Sequence, residues 1–346
     1  MGASKPNFIV IAPNYFNYAT STVKAIRQLG YNVKFFAEKP FYLNCSYLQR
    51  KLFKMGFTSI KNAWDKRWNS DLLQFIHENA DKNTKLMFLT GGVPAEVLML
   101  LTEYDKILVL WDSIRRSSLD QQQRVQMYDK VYAFEYNDLA YMQETFGIKN
   151  MEYLPVGYDD GIYFPDDRQQ KDIDVSFVGT YTEERFSLLE EIAQCAYRNH
   201  WKLAIYGQWV NLKWPWMKWK FKKNHLVLFK SLNNYNILPE KTAMIYRRSK
   251  IVLNINNTVH KSISPRTFEI LATGAFQLMN KGQESHGTID LEKDLVLYDS
   301  VGDLEEKINY YLSCEKERMT IAERGYRDCQ RFSLTNLLRR VVDGSC

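Results

Sequence analysis

Short runs of strand-forming residues alternate with longer segments of helical period along almost the whole chain, and the alternation restarts near the middle. FIVIAP (8–13), NVKFFAE (32–38), KLMFLT (85–90), KILVLWD (106–112) and KVYAFE (130–135) are rich in β-branched, leucine or aromatic residues. Parallel strands need long connections, because a tight turn can only reverse the chain, so the alternation predicts crossover helices covering both faces of a mostly parallel sheet. YLPVGYDDGIYFPDD (153–167) interrupts the pattern with Pro, Gly and Asp. The second series follows as DVSFVG (174–179), KLAIYG (202–207), HLVLF (225–229), KIVLNI (250–255), AFQLM (275–279) and DLVLYDS (294–300). A chain of 346 residues also exceeds what one core usually organises. The expectation is an α/β protein of two doubly wound, Rossmann-like domains. Residues 1–157 form the first, 158–172 a linker, 173–332 the second and 333–346 a C-terminal helix. Two such sheets facing a central cleft bind ligands at the carboxyl ends of their strands, so function is sought in the loops that follow strands.

Composition removes several alternatives. With 45% hydrophobic and 25% charged residues the profile is globular. No run of about 18 apolar residues predicts a transmembrane helix, and MGASKPNFIVIAPNYF lacks the long apolar core of a signal peptide, so a cytoplasmic protein is expected. The five cysteines are odd in number and widely spaced, and the five histidines form no HExxH, so neither a disulfide framework nor a bound metal is expected. No GxGxxG follows a strand, which argues against a nicotinamide oxidoreductase. The net charge of +6 suits an anionic ligand or surface without requiring nucleic acid.

Two loops of the second series have the chemistry of an anion site. In DVSFVGTYTEERF the strand ends on Gly179, and Thr180 with Glu183 has capping-box spacing. A strand end followed by a helix N-terminus presents backbone N–H groups to a phosphate, although an ordinary βα turn reads the same way. In SPRTFEILATGAFQLMN, Pro265 suits a first helical position, Phe268, Leu271 and Ala272 form an apolar face, and Gly274 ends the helix. Arg266 and Glu269 lie three apart. Their alternatives are an i, i+3 ion pair, or a guanidinium for phosphate oxygens beside a carboxylate for a ribose diol.

In the first series, Asn14 and Tyr15 follow one strand, Gly91 and Gly92 another, and Asp112 and Glu135 two more. The glycines either admit a ligand to the backbone or make tight turns. Asp112 and Glu135 are each a candidate general base or a cap. WVNLKWPWMKWKFKKN (209–224) holds four tryptophans and five lysines without an acidic residue. Trp214, Trp216, Trp219, Lys218 and Lys220 suit an anionic membrane surface; self-packing and contact with nucleic acid or glycan are the alternatives.

From about Asn254 to Val342 the chain resembles the C-terminal domain of CgeB-like glycosyltransferases, which is similar to the wider retaining GT-B class. The matching stretches are SPRTFEILATGAFQLMN and DLVLYDSVGDLEEKINYYLSCEKERMTIAERGYRDCQRFSL, with DVSFVGTYTEERF and YLPVGYDDGIYFP resembling the pieces that open and link that domain. The resemblance implies a GT-B fold, with a nucleoside-diphosphate sugar held by the second domain as co-substrate, no separate cofactor, and an acceptor held by the first. On that analogy Glu269 binds ribose, Gly179 lies near the diphosphate, and Arg266 and Lys261 neutralise it. Thr180, Tyr181, Arg185, Tyr206, Gly207, His260 and Thr267 complete the implied donor set. Many retaining GT-B enzymes carry a second glutamate eight positions before the ribose-binding one, and here that position is Lys261. This departure leaves room for a non-catalytic nucleotide-sugar binder.

Overall fold

A computed structural model describes residues 7–13, 17–39, 41–166, 168–210, 214–256 and 260–344. It divides into two compact units. One holds the chain up to Pro155 together with the segment from Leu334 onward; the other is Val156–Ser333.

The first unit contains β1 (Phe8–Pro13), α1 (Tyr18–Gln28), β2 (Val33–Glu38), α2 (Phe41–Asn44), α3 (Tyr47–Lys54), α4 (Thr58–Asn79), β3 (Lys85–Phe88), α5 (Ala95–Met99), β4 (Lys106–Leu110), α6 (Leu119–Arg124), β5 (Lys130–Ala133), α7 (Asn137–Phe146) and β6 (Met151–Tyr153). Its sheet has the order β2-β1-β3-β4-β5-β6, with every pairing parallel. The all-apolar reading of FIVIAP is explained by its place inside the sheet, where all six residues are buried. β6 was not read from the sequence. Three residues followed directly by Leu154–Pro155 are too few to show a period.

The second unit runs β7 (Ile173–Val178), α8 (Glu183–Asn199), β8 (Leu203–Tyr206), α9 (Pro215–Asn224), α10 (Leu226–Ser231), β9 (Leu232–Asn233), α11 (Pro239–Arg248), β10 (Ser249–Asn254), α12 (Pro265–Ala272), β11 (Gln277–Asn280), β12 (Val296–Tyr298), α13 (Val301–Ser313) and α14 (Glu315–Cys329). Its sheet, also parallel throughout, has the order β12-β11-β10-β7-β8-β9. HLVLF was expected as a strand, and the structure corrects this: residues 226–231 are the helix α10. A five-residue apolar run does not distinguish a buried strand from a helical turn. Here Leu228 faces the core while Leu226 is exposed, and the edge position beside β8 goes to Leu232–Asn233.

The last helix, α15 (Leu334–Asp343), returns to the first unit and packs on α1. Leu337, Leu338, Val341 and Val342 bury one stripe, and the Thr335 hydroxyl donates to Gln28 Oε1 at 3.2 Å. Segment 158–172 lies within the second unit. Tyr158 and Tyr163 are buried there, and the Tyr158 N–H donates to the Phe332 carbonyl at 3.3 Å, so the chain's entry and exit are tied together.

Candidate functional site

In the second sheet the chain steps outward from β7 to β8 and β9, then returns to β10 on the other side of β7. In open parallel sheets ligands bind at such a point of reversal, here between β7 and β10, because loops that leave neighbouring strands toward opposite faces leave a crevice at the carboxyl ends. Gly179–Thr182 follows β7, and Ser264 with α12 comes between β10 and β11, so strand order brings the two stretches singled out in the sequence to neighbouring strands.

The β7 strand end is tightly built. A Cβ on Gly207 would lie 2.1 Å from the Gly179 carbonyl oxygen, and Gly207 holds φ +140°, so only glycine fits where β8 closes on β7. A Cβ on Gly179 would lie 2.7 Å from the Phe177 ring and 3.2 Å from Arg266 Nη2. The bare glycine thus lets the Arg266 guanidinium lie against the strand end. The helix cap differs from the expected one: Thr182, not Thr180, caps α8, accepting from Arg185 N at 3.2 Å. The extended backbone of Thr182 starts the helix two residues later, which frees Thr180 to accept from Arg185.

Two guanidiniums converge here. Arg185, nine-tenths buried on the first turn of α8, donates through Nε to the Ile255 carbonyl at 3.0 Å and through Nη1 to the Thr180 carbonyl at 3.1 Å. Arg266, on the first turn of α12, reaches the same Ile255 carbonyl at 3.4 Å and bonds the Tyr246 side chain. Both lie over the Phe177 ring, at 5.9 and 5.6 Å from its centroid. Burial and the nearby Arg266 charge depress the Arg185 pKa to about 10. Two cations forced together this way favour an anion between them.

Glu269 sits one turn along α12 and accepts from Tyr163. It keeps some solvent exposure, yet enough protein surrounds its carboxyl to push the pKa up to about 7, against the pull of Arg266 and Tyr163. The i, i+3 spacing does not make the surface ion pair it allows: Arg266 turns to Tyr246 and the Ile255 carbonyl, and Glu269 to Tyr163. Tyr163 and Tyr246 carried no signal in the sequence, since they come from the connector and from α11.

The remaining expected positions separate. Tyr181 is exposed, its hydroxyl donates to Glu183, and its ring packs edge-on to Trp209. Tyr206 is half-buried against Tyr235. Lys261 is exposed, and its carbonyl accepts from Glu284 N at 2.7 Å; the His260 carbonyl accepts from Gln283 Nε2 at 2.7 Å. Thr267 lies wholly in the interior, where its hydroxyl accepts from Asn254 Nδ2 at 2.9 Å, so it anchors α12 to β10 rather than lining the crevice.

In the first unit, Asn14 and Tyr15 lie outside the described residues. Asp112 is exposed, accepts from Ser113 N at 2.8 Å and pairs with Arg116 at 3.2 Å, whereas Glu135 is buried. The Gly91 carbonyl accepts from Gln121 and Arg124 at 3.4 and 3.3 Å, and Gly92 lines a cavity together with Glu38. Of the tryptophans, Trp209 packs at an angle to Phe177, while Trp214, Trp216 and Trp219 are 55%, 62% and 63% exposed and Lys218 and Lys220 stand in solvent. No described helix is long and apolar enough to cross a membrane.

The profile of a glycosyl transferase-like family matches residues 185–340, a little under half of the chain. No curated protein sequence matches. Among solved structures, the chain is similar to a glycosyltransferase from Rickettsia africae, with a TM-score of 0.67, 12% identity and 97% of each chain covered. It is also similar to HepE from Anabaena in complex with UDP, with a TM-score of 0.65, 11% identity, and coverage of 97% of this chain and 98% of that one. Against TarM the TM-score is 0.58 at 12% identity, and the match spans only 56% of the TarM chain. Two parallel six-stranded sheets flanked by helices, together with these likenesses, give the fold: α/β, of the GT-B type.

Proposed function

We propose that the protein is a glycosyltransferase that moves a sugar from a nucleoside-diphosphate sugar, preferably a UDP-sugar, to an acceptor hydroxyl. The observation that carries this reading is the convergence of Arg185 and Arg266 at the β7–β10 reversal point, with Glu269 one helical turn away. The guanidiniums suit a diphosphate, and the carboxylate suits the two hydroxyls of a ribose. The HepE complex with UDP supports the choice of nucleotide. Positioning of the donor and stabilisation of the leaving diphosphate by Arg185, Arg266 and the exposed Lys261 supply the catalysis. Retention of anomeric configuration is favoured by the resemblance to retaining GT-B enzymes alone; on that route the leaving phosphate can accept the acceptor proton without a protein base. The acceptor belongs to the first unit, the reaction to cell-envelope or surface glycan synthesis, and the site of action to the cytoplasmic face of a membrane approached through α9.

Thermal shift with nucleoside diphosphates tests the donor half, since a ligand that binds only the folded state raises its stability with occupancy. UDP is expected to raise the unfolding midpoint more than ADP or GDP. Slow hydrolysis of UDP-sugars by the purified protein tests catalysis. A UDP-dependent shift with no sugar released from any donor favours the non-catalytic binder that the lysine at 261 permits.

A further inference from the structure

A cavity of ≈ 610 Å³ lies in the first unit at the carboxyl ends of β2 and β3, walled by α4 and α6. Its volume falls within the range of small-molecule sites, about 300–1,000 Å³. Glu38, the last residue of β2, is only 9% exposed. Its two carboxylate oxygens share one hydroxyl donor, Thr90 Oγ1, at 3.0 and 2.9 Å. One hydroxyl leaves most of a carboxylate's accepting capacity unused. Burial accordingly pushes the Glu38 pKa up to about 7.

Three other residues lining this cavity carry a buried polar atom with no partner among the described residues: Trp68 Nε1, Asn69 Oδ1 and Arg124 Nε. The Tyr128 hydroxyl, in the core beyond the lining but close enough to Glu38 and Arg124 to feel both charges, is likewise buried with no partner among the described residues. Folded proteins leave few such groups, and three on the lining of one cavity point to a ligand that completes them. These atoms are covered by their neighbours, so a ligand would meet them only after a side-chain rotation toward the cavity.

The lining also defines the ligand. Lys39, Lys61, Lys66 and Arg124 are matched by Glu38, Asp65, Glu96 and Asp120, and Lys61–Asp65 and Arg124–Asp120 are already paired. A phosphate or carboxylate ligand would find no excess of positive charge. The unused groups of the lining are instead a mixture of donors, on Trp68 and Arg124, and acceptors, on Glu38 and Asn69. Hydroxyls both donate and accept, and an indole offers an apolar face to a sugar ring.

We propose that this cavity binds an uncharged sugar, with Glu38 accepting hydrogen bonds from its hydroxyls and Trp68, Asn69 and Arg124 completing its recognition. The inference deepens the acceptor half of the proposed transfer and rests on that reading only for the name acceptor; binding itself does not depend on it.

The test is calorimetric titration of the full chain with methyl glycosides of the common hexoses and N-acetylhexosamines, beside the thermal shift with UDP. At least one glycoside is expected to bind. Glu38→Gln is expected to weaken it at least tenfold. Gly92→Leu is expected to do the same, since its backbone is outside the left-handed region and its Cβ would lie 3.9 Å from Glu38 Oε2, aiming a side chain at the carboxylate. Both variants should keep the UDP response. Glycoside binding unchanged in both variants overturns the assignment, as does a wild type that responds to UDP but binds no glycoside. Glycoside binding lost in the variants of a protein indifferent to UDP upholds this site and removes the donor reading instead.

Discussion

Glu269 shows how a single carboxyl couples binding, stability and pH. Its pKa rises from 4.5 to about 7 because burial penalises the charged form more than Arg266 and Tyr163 favour it. Between those two values the folded chain holds a proton that the unfolded chain has lost. Stability contributed at this position therefore falls as pH rises from about 4.5 to 7 and stays lower above that. Glu269→Gln is expected to unfold at a higher midpoint than wild type at pH 8 and at a similar one at pH 5, measured by thermal melts across that range. Nucleotide binding should move the opposite way, because only the ionised carboxylate accepts from both ribose hydroxyls. At pH 8 the same substitution is expected to lower UDP affinity by roughly 10- to 100-fold, about one hydrogen bond to a charged acceptor. At pH 5.5 the two proteins should bind alike. Equal affinity at pH 8 would reduce Glu269 to a packing residue of α12.

At the scale of an element, α9 is the least ordinary helix of the chain. Trp216, Trp219 and Lys223 recur at i, i+3 and i+7 on one exposed face, with the Lys223 ammonium 5.2 Å from the Trp219 ring centroid, while Phe221 turns inward. Phe221 is its one buried side chain, and Trp216 and Trp219, with Trp214 at the N-cap, remain exposed for a partner. The proposed partner, an anionic bilayer, meets rings at headgroup level and ammonium groups at the lipid charges. Cosedimentation with vesicles containing phosphatidylserine is expected at low salt and should weaken as salt screens the lysines. The double variant Trp216→Ala, Trp219→Ala should stay in the supernatant and keep its response to UDP. Wild type recovered equally with anionic, neutral or no vesicles would exclude the bilayer as partner.

For the molecule as a whole, the diphosphate's charge is expected to be met by Arg185, Arg266 and the N-terminus of α8, so donor turnover should survive a chelator. Activity abolished by EDTA and restored by manganese would contradict this. The fold class followed from period and punctuation: buried parallel strands must be nearly all apolar, and helices between them must carry an apolar stripe, so both were written along the chain. The same local reasoning found Pro265, Gly274 and the Arg266–Glu269 spacing, because caps and helix faces are short-range properties. It failed where several local structures suit the same residues. HLVLF became α10, and the cap moved from Thr180 to Thr182. The residues that complete the candidate sites were beyond its reach for a different reason. Tyr163 meets Glu269, Tyr246 meets Arg266, and Glu38 meets Thr90 and shares a cavity with Trp68 and Arg124, from elements far apart in sequence. Such neighbours are set by strand order and by which helix covers which face. The sequence alone determined the fold class, most of the elements and the chemistry each could carry, and only tertiary packing decided the rest: which side chains meet, how deeply they are buried and which charges they share.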